Sequence, residues 1–190
     1  VVLAVVLDDG VVAGEHDDRD LGPALVLADV DQKVEARFPG QHDIHDHGIG
    51  IQGSFIFGFD HDDPGVFERT VEFIHQNRIE LPTFSVLTPF PGTPLWERLE
   101  REGRIFDRNW SHYDLSRVVF APKRMTPEQL QRGYLWAQKY SCAPRSILRR
   151  LLLGARHHLG YFLLSNFILR KAQMKVIKRL QAVPLPAGPS

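Results

Sequence analysis

The sequence predicts an α/β fold with parallel strands, and three observations carry that reading. Ile49 to Phe59 is an apolar run, β-branched or aromatic on both faces, which suits a buried parallel strand better than a half-exposed antiparallel one. Asp62-Asp63-Pro64 then opens a helix, with Asp63 as N-cap and Pro64 at the first helical position, where its missing N–H costs nothing. Thr83 to Leu87 reads as a second strand, so the three segments make a β-α-β unit with a right-handed crossover.

Upstream, Val1 to Leu7 and Ala24 to Leu27 have the composition of short strands. Residues 1–43 otherwise hold no sustained period of two or 3.6, and Asp9-Gly10 and Gly22-Pro23 chop them into pieces. This acidic leader stays unassigned, and a wrong start or a reading-frame error is the expectation for it.

Downstream, the first helix buries Phe67, Val71 and Ile74, with Val66 and Phe73 beside them, and ends near Asn77. A second helix is capped by Thr93, starts at Pro94, turns Leu95, Trp96 and Leu99 inward and stops at Gly103. An irregular stretch with Trp110 and Tyr113 leads to a short strand, Val118-Val119-Phe120. Thr126-Pro127-Glu128-Gln129 fits a capping box, and Leu130, Tyr134, Ala137 and either Gln138 or Tyr140 continue that helix. From Pro144 to about Leu180 the chain is helical and basic, with a break expected at Gly154 or Gly160, and residues 183–190 form a loose Pro-rich tail.

The 190 residues carry 23 Lys+Arg and 23 Asp+Glu, a formal charge of zero. Position resolves that neutrality. Residues 1–50 hold eleven acids and three bases, 51–128 twelve acids and nine bases, and 129–190 eleven bases and no acid, so the regions carry −8, −3 and +11. The single cysteine, Cys142, excludes an internal disulfide and any zinc or iron–sulfur site ligated by this chain's cysteines alone. The apolar start lacks the basic flank of a signal peptide, and the nine residues Tyr161 to Leu169 fall short of the ~20 that cross a bilayer. A cytoplasmic location is the expectation, and a chain opening on Val is read as processed or as a piece of something longer.

Three constellations could carry chemistry. His42, His45 and His47 interleave with Asp43 and Asp46, near Asp60, His61 and Asp62, but nothing fixes a third metal ligand, so a solvated helix end is the simpler reading and no metal site is assigned. The strand end Phe55 to Pro64 places Gly58 and acids where parallel sheets bind ligands, although glycine and acid are also ordinary turn chemistry. Thr88-Pro89-Phe90-Pro91-Gly92-Thr93-Pro94 leaves the neighbouring strand at the same end, and its three prolines make it stiff, as a cofactor wall or a structural turn requires.

On these residues a resemblance becomes specific. Gly48-Ile49, Gly53 to Gly58 and Asp62, then Phe84 to Pro94, resemble the fifth and sixth strands of the radical S-adenosylmethionine (SAM) barrel. Leu99, Glu102 to Ile105, Trp110, Tyr113-Asp114, Val118 to Phe120, Pro122, Met125, Leu130 and Gly133-Tyr134 resemble the C-terminal extension of those members that carry an N-terminal cobalamin-binding domain. The similarity spans about Ile44 to Arg150.

The resemblance implies a partial (β/α) barrel over 44–104, an extension over 105–142 and basic amphipathic helices over 143–182. It implies a parent enzyme using SAM, a [4Fe–4S] cluster held by a C-x-x-x-C-x-x-C loop and cobalamin, with methyl transfer as the expected chemistry. Cys142 cannot supply that loop, so the expectation is a C-terminal fragment, inactive alone, whose partner is the remainder of the parent. Ile56 and Gly58 would contact the adenine of SAM, and Thr88 and Pro89 would line the SAM or substrate side. Asp62 stands where relatives have Glu or Gln, which leaves its role open. Trp110, Tyr113 and Asp114 either close a substrate-facing loop or pack the extension onto the barrel. The alternative to the enzyme reading is a non-catalytic interaction module built on a barrel remnant.

The basic tail has three uses. Arg145, Arg149, Arg150, Arg156, Arg170, Lys171, Lys175, Lys178 and Arg179 alternate with Leu148, Leu151 to Leu153, Phe162 to Leu164, Phe167 to Leu169 and Ile177. An amphipathic cationic segment over 145–179 can lie on an anionic membrane surface, at the inner face of the membrane, or pack on the missing barrel; a nucleic-acid contact is the least favoured.

Overall fold

The structure is a computed structural model that describes residues 2–7, 26–29, 51–153 and 159–182, with side chains over 51–152 and 159–182. Strand β1 (Val2–Leu7) falls on the first short strand expected upstream, and β2 (Val26–Asp29) lies two residues further along than the second. Next come β3 (Ile51–Phe57), α1 (Val66–Gln76), β4 (Leu81–Val86), α2 (Pro94–Arg101) and a single 3-10 turn at Trp110–His112. Three helices complete the chain: α3 (Pro127–Ser141), α4 (Pro144–Leu153) and α5 (Leu159–Ala182).

The sheet runs β2-β1-β3-β4. β3 and β4 are parallel, in the register Phe55↔Phe84 and Phe57↔Val86, with α1 as their crossover, as the sequence predicts. β1 is antiparallel to both β2 and β3, so the architecture is α/β with one parallel pair.

Burial departs from the expectation for β3. Ile51, Gly53, Phe55 and Phe57 are buried while Gln52 is exposed and Ser54 and Ile56 are half-buried, so the strand has one packed face and one open one. Polar residues at alternate positions, Gln52 and Ser54, are the cause. On the packed face Phe84 stacks on Phe55 and Phe57 with centroids 5.7 and 5.8 Å apart, and Phe67 of α1 meets Phe57 at 4.8 Å. Such aromatic pairs contribute about 0.5–1.5 kcal/mol each beyond their burial.

The helix caps follow local chemistry. Thr93 accepts the Trp96 N–H at 3.2 Å with Pro94 in the first turn, and Thr126 and Gln129 form the reciprocal capping box. α1 starts two residues later than expected: Asp63 Oδ1 accepts the Gly65 N–H at 2.8 Å, so Pro64 belongs to the preceding turn and Gly65 is the N-cap. Of the predicted inner face of α2 only Leu99 is fully buried, with Leu95 and Trp96 packed at its margin. Val118 to Phe120 are buried but form no strand; their one bridge joins Ile105 to Phe120. At the end of β4 the Val86 N–H donates to Leu115, whose positive φ of 64° turns its carbonyl onto the strand at 2.7 Å. In α3 the buried stripe runs Leu130, Tyr134, Ala137 and Gln138, while Tyr140 is exposed. α4 ends at Leu153, beside Gly154, and Gly160 lies inside α5.

Candidate ligand-binding strand ends

The C-terminal ends of β3 and β4 stay side by side, since Leu87 N–H donates to Phe57 O at 2.8 Å. There β3 turns at Gly58, whose φ of +109° an L side chain rarely adopts. The turn is held by Asp62, whose buried carboxylate accepts the N–H groups of Gly58 at 2.8 Å and Phe59 at 3.0 Å through one oxygen, Oδ2. A Cβ on Gly58 would meet Leu130 Cδ2 at 3.0 Å and Phe120 Cζ at 3.3 Å, so the extension covers this glycine on that side.

On β4, the Thr88 hydroxyl donates to Val86 O at 3.0 Å and is buried, as is Pro89. The loop beyond closes on itself where Thr93 Oγ1 donates to Phe90 O at 2.6 Å, and Gly92 takes a φ of 78°. The five predicted cofactor contacts therefore converge on one end of the parallel pair. Ile56 is the one that lies within a strand on the open face; Gly58, Asp62, Thr88 and Pro89 are buried and shape the strand ends. The same open face carries a polar ladder, Ser54 Oγ to Thr83 Oγ1 at 2.9 Å, with half-buried Ser85 beyond it.

Sequence reasoning missed the clasp beside this turn. Asp60 meets Arg104 at 2.9 Å, Arg98 at 3.1 Å and Lys123 at 3.4 Å, tying the end of β3 to α2 and the extension. Partial burial opposes its ionisation, but the hydrogen bond and charge of Arg104, helped by Arg98 and Lys123, hold the carboxyl below its ordinary range. Arg104 also donates to Ala121 O at 2.7 Å and lies 5.8 Å from the centre of the Phe120 ring. Four acid or base partners spread over sixty residues leave no local spacing to find.

Of the loop aromatics, Tyr113 is buried and donates to Asp107 O at 2.6 Å, and Trp110 is 58% exposed while leaning on Trp96 and Tyr113. Asp114 is paired with Arg179 of α5. These contacts join the extension to α2 and the tail.

His42, His45 and His47 lie outside the described residues, and among the described ones no group of three or more His, Cys, Asp or Glu could hold a metal ion. The chemistry of an iron–sulfur cluster does not fit this chain: Cys142 is its one thiol, buried at the C-cap of α3, and burial pushes its pKa up despite Arg150 and Arg170. A groove of about 430 Å³ lined by Glu72, His75, Trp136, Tyr140 and Arg149 sits between α1 and α3, among residues remote in sequence from the strand ends.

Comparison with known proteins follows the same division of the chain. Residues 93–160, from the cap of α2 to the start of α5, match the Domain of unknown function (DUF4070). The chain is 44% identical over 108 residues to the bacteriochlorophyllide d C-12(1)-methyltransferase of Chlorobaculum tepidum, covering 57% of this chain and 23% of that protein. It is 28% identical over 135 residues to the bacteriochlorophyllide d C-8(2)-methyltransferase of the same organism, 70% of this chain and 30% of the relative. To the hopanoid C-2 methylase of Rhodopseudomonas palustris it is 42% identical over 66 residues, 35% of this chain and 12% of the relative. The chain thus spans less than a third of each of these relatives, and all three are named for adding a methyl group.

Proposed function

We propose that this chain is the C-terminal part of a radical SAM methyltransferase that also uses cobalamin, and that it supplies the last two barrel strands and their extension to the complete enzyme. The observation that carries the reading is the open, partly polar face of the β3–β4 pair, ending at Gly58 and Thr88, in a chain whose relatives include methyltransferases. A strand face that is partly polar and only half-buried at Ser54, Ile56, Thr83 and Ser85, with α4 and α5 packed only at its Leu81 end, suits the interior of a barrel completed by further strands.

In this reading Ile56 offers an apolar surface to the adenine of SAM, and Asp62 keeps the Gly58 turn in shape beneath it. Thr88 and Pro89 hold the adjoining wall rigid. When bound in the whole enzyme, SAM and cobalamin supply the methyl and radical chemistry. The cluster ligands must come from elsewhere in the parent, and the 190-residue chain alone is inactive. Its substrate class follows its relatives: a bulky, largely apolar molecule methylated at carbon.

Anaerobic reconstitution with iron and sulfide tests this. The 190-residue chain is expected to gain no visible cluster absorption. The complete parent polypeptide is expected to gain it, to cleave SAM, and to bind SAM less tightly when Ile56→Glu is introduced. A complete parent without a C-x-x-x-C-x-x-C motif, or SAM affinity indifferent to Ile56→Glu, overturns the reading.

A further inference from the structure

The outer surface of α5 changes character along its length. Its inner stripe, Phe162, Asn166, Ile177 and Leu180, is buried against the body of the protein. Asn166 fixes it there by donating to Glu80 O at 3.0 Å, and Arg150 of α4 reaches Asn166 Oδ1 at 3.2 Å. On the outside, the first half of the helix presents Leu164, Phe167 and Ile168, and α4 adds Leu148 and Leu152. All five are more than half exposed, Phe167 by 65%. The second half presents Lys171, Lys175 and Lys178 on the same side.

The cations of this region divide in the same way. Arg150, Arg170 and Arg179 are engaged internally, with Ser141 O, Cys142 O and Asp114. Among the described residues no carboxylate pairs with Arg145, Arg149, Lys171, Lys175 or Lys178, and residues 129–190 contain no acid at all. Large exposed apolar side chains bordered by unopposed cations are what an anionic bilayer interface matches: hydrocarbon for the first, headgroup charge for the second. Phosphate-backbone binding would use the cations and leave the Leu, Phe and Ile cluster in water. No described helix is long and apolar enough to cross a membrane, so the contact is with its surface.

We propose that α4 and α5 form a peripheral membrane-docking surface, in which Leu148, Leu152, Leu164, Phe167 and Ile168 enter the interface and Arg145, Lys171 and Lys175 meet anionic headgroups. This stands independently of the catalytic reading.

Co-flotation of the 190-residue chain tests it, with vesicles of phosphatidylcholine alone or with equal parts of phosphatidylglycerol. Binding is expected to the mixed vesicles, to be weaker to the neutral ones, and to fall as salt rises. Phe167→Glu with Ile168→Glu is expected to lower partitioning at least about tenfold. Lys171→Gln with Lys175→Gln, which touches exposed positions only, is expected to remove the preference for anionic lipid while leaving the circular dichroism spectrum unchanged. Absence of binding to mixed vesicles at low salt overturns the proposal. So does a dimer that sediments as such and dissociates with Phe167→Glu, duplex DNA bound in place of vesicles, or a complete parent polypeptide that does not float because this face is covered within it.

Discussion

Asp62 Oδ2 accepts the N–H of Gly58 at 2.8 Å, closing a five-residue loop at the place where the parallel strand stops. The carboxylate is buried, and Phe59 N–H shares the same oxygen. Asp62→Ala is expected to cost about 2–3 kcal/mol in urea unfolding, because two N–H groups lose a charged acceptor. Asp62→Asn keeps an acceptor oxygen and is expected to cost about half as much. Equal losses for the two variants would mean that the N–H groups find other partners.

Gly58 is expected to reject any side chain. Its φ of +109° and the approach of Leu130 and Phe120 act together, so Gly58→Ala is expected to lose about 1–3 kcal/mol by chemical denaturation. A neutral effect would show that the turn relaxes.

Gly133 lets α3 close on α1. A Cβ there would sit 2.0 Å from the Phe67 ring, so Gly133→Ala is expected to destabilise by about 3 kcal/mol even though alanine favours helix. Phe67→Leu in the same chain is expected to return part of that loss, which a double-mutant cycle measures as coupling of about 1 kcal/mol or more. Additive losses would refute the contact.

Glu80 and His75 give stability two opposing pH limbs. Burial raises Glu80 from 4.5 to about 7, against the hydrogen bond from Ile51 N–H and the charge of Arg150. Between those values the folded state keeps a proton the unfolded chain has released, so stability falls as pH rises through this window, and the cost is complete above it. His75, lowered from 6.5 to about 4 by burial and by Arg150 and Arg149, acts in reverse: stability is lost as pH falls through that window. Because the two windows overlap between about pH 4.5 and 6.5, Glu80→Gln is expected to uncover the His75 rise there and to gain about 1–3 kcal/mol over wild type above about pH 7, with no such gain at about pH 4. Melting temperatures measured across both windows check it, and a wild-type Tm that rises between about pH 6.5 and 8 would contradict it.

Local chemistry was readable without coordinates. Thr93, Pro94, Thr126 and Gln129 act within three or four residues of themselves, so the caps of α2 and α3 follow from spacing. Asp63 misled by two residues because its side chain could cap at either of two nearby N–H groups. Val118 to Phe120 have the composition of a strand, but at the end of β4 it is Leu115 that takes the Val86 N–H, and their one bridge goes to Ile105. Arg150 read as one surface cation among nine, yet it is 2% exposed and bonded to Ser141, Ser146 and Asn166. Charge patterns report which residues are basic; burial depends on partners far along the chain. The strand ends were located by the β-α-β order, whereas the Asp60 clasp needed three-dimensional proximity.

The direction of α5 sets a polarity for the molecule. Its first half is pinned at Asn166 to Glu80, just before β4 begins, and its second half reaches Asp114 and Ser116, next to the Leu115 carbonyl that caps Val86 at the end of β4. The oily half of the helix and the C-terminal ends of β3 and β4 therefore lie toward opposite ends of a six-residue strand, about 20 Å apart. With the outer side of α5 laid on lipid, β4, which α5 follows from Glu80 to Asp114, would run along the membrane plane, so the strand ends would open sideways rather than into the bilayer.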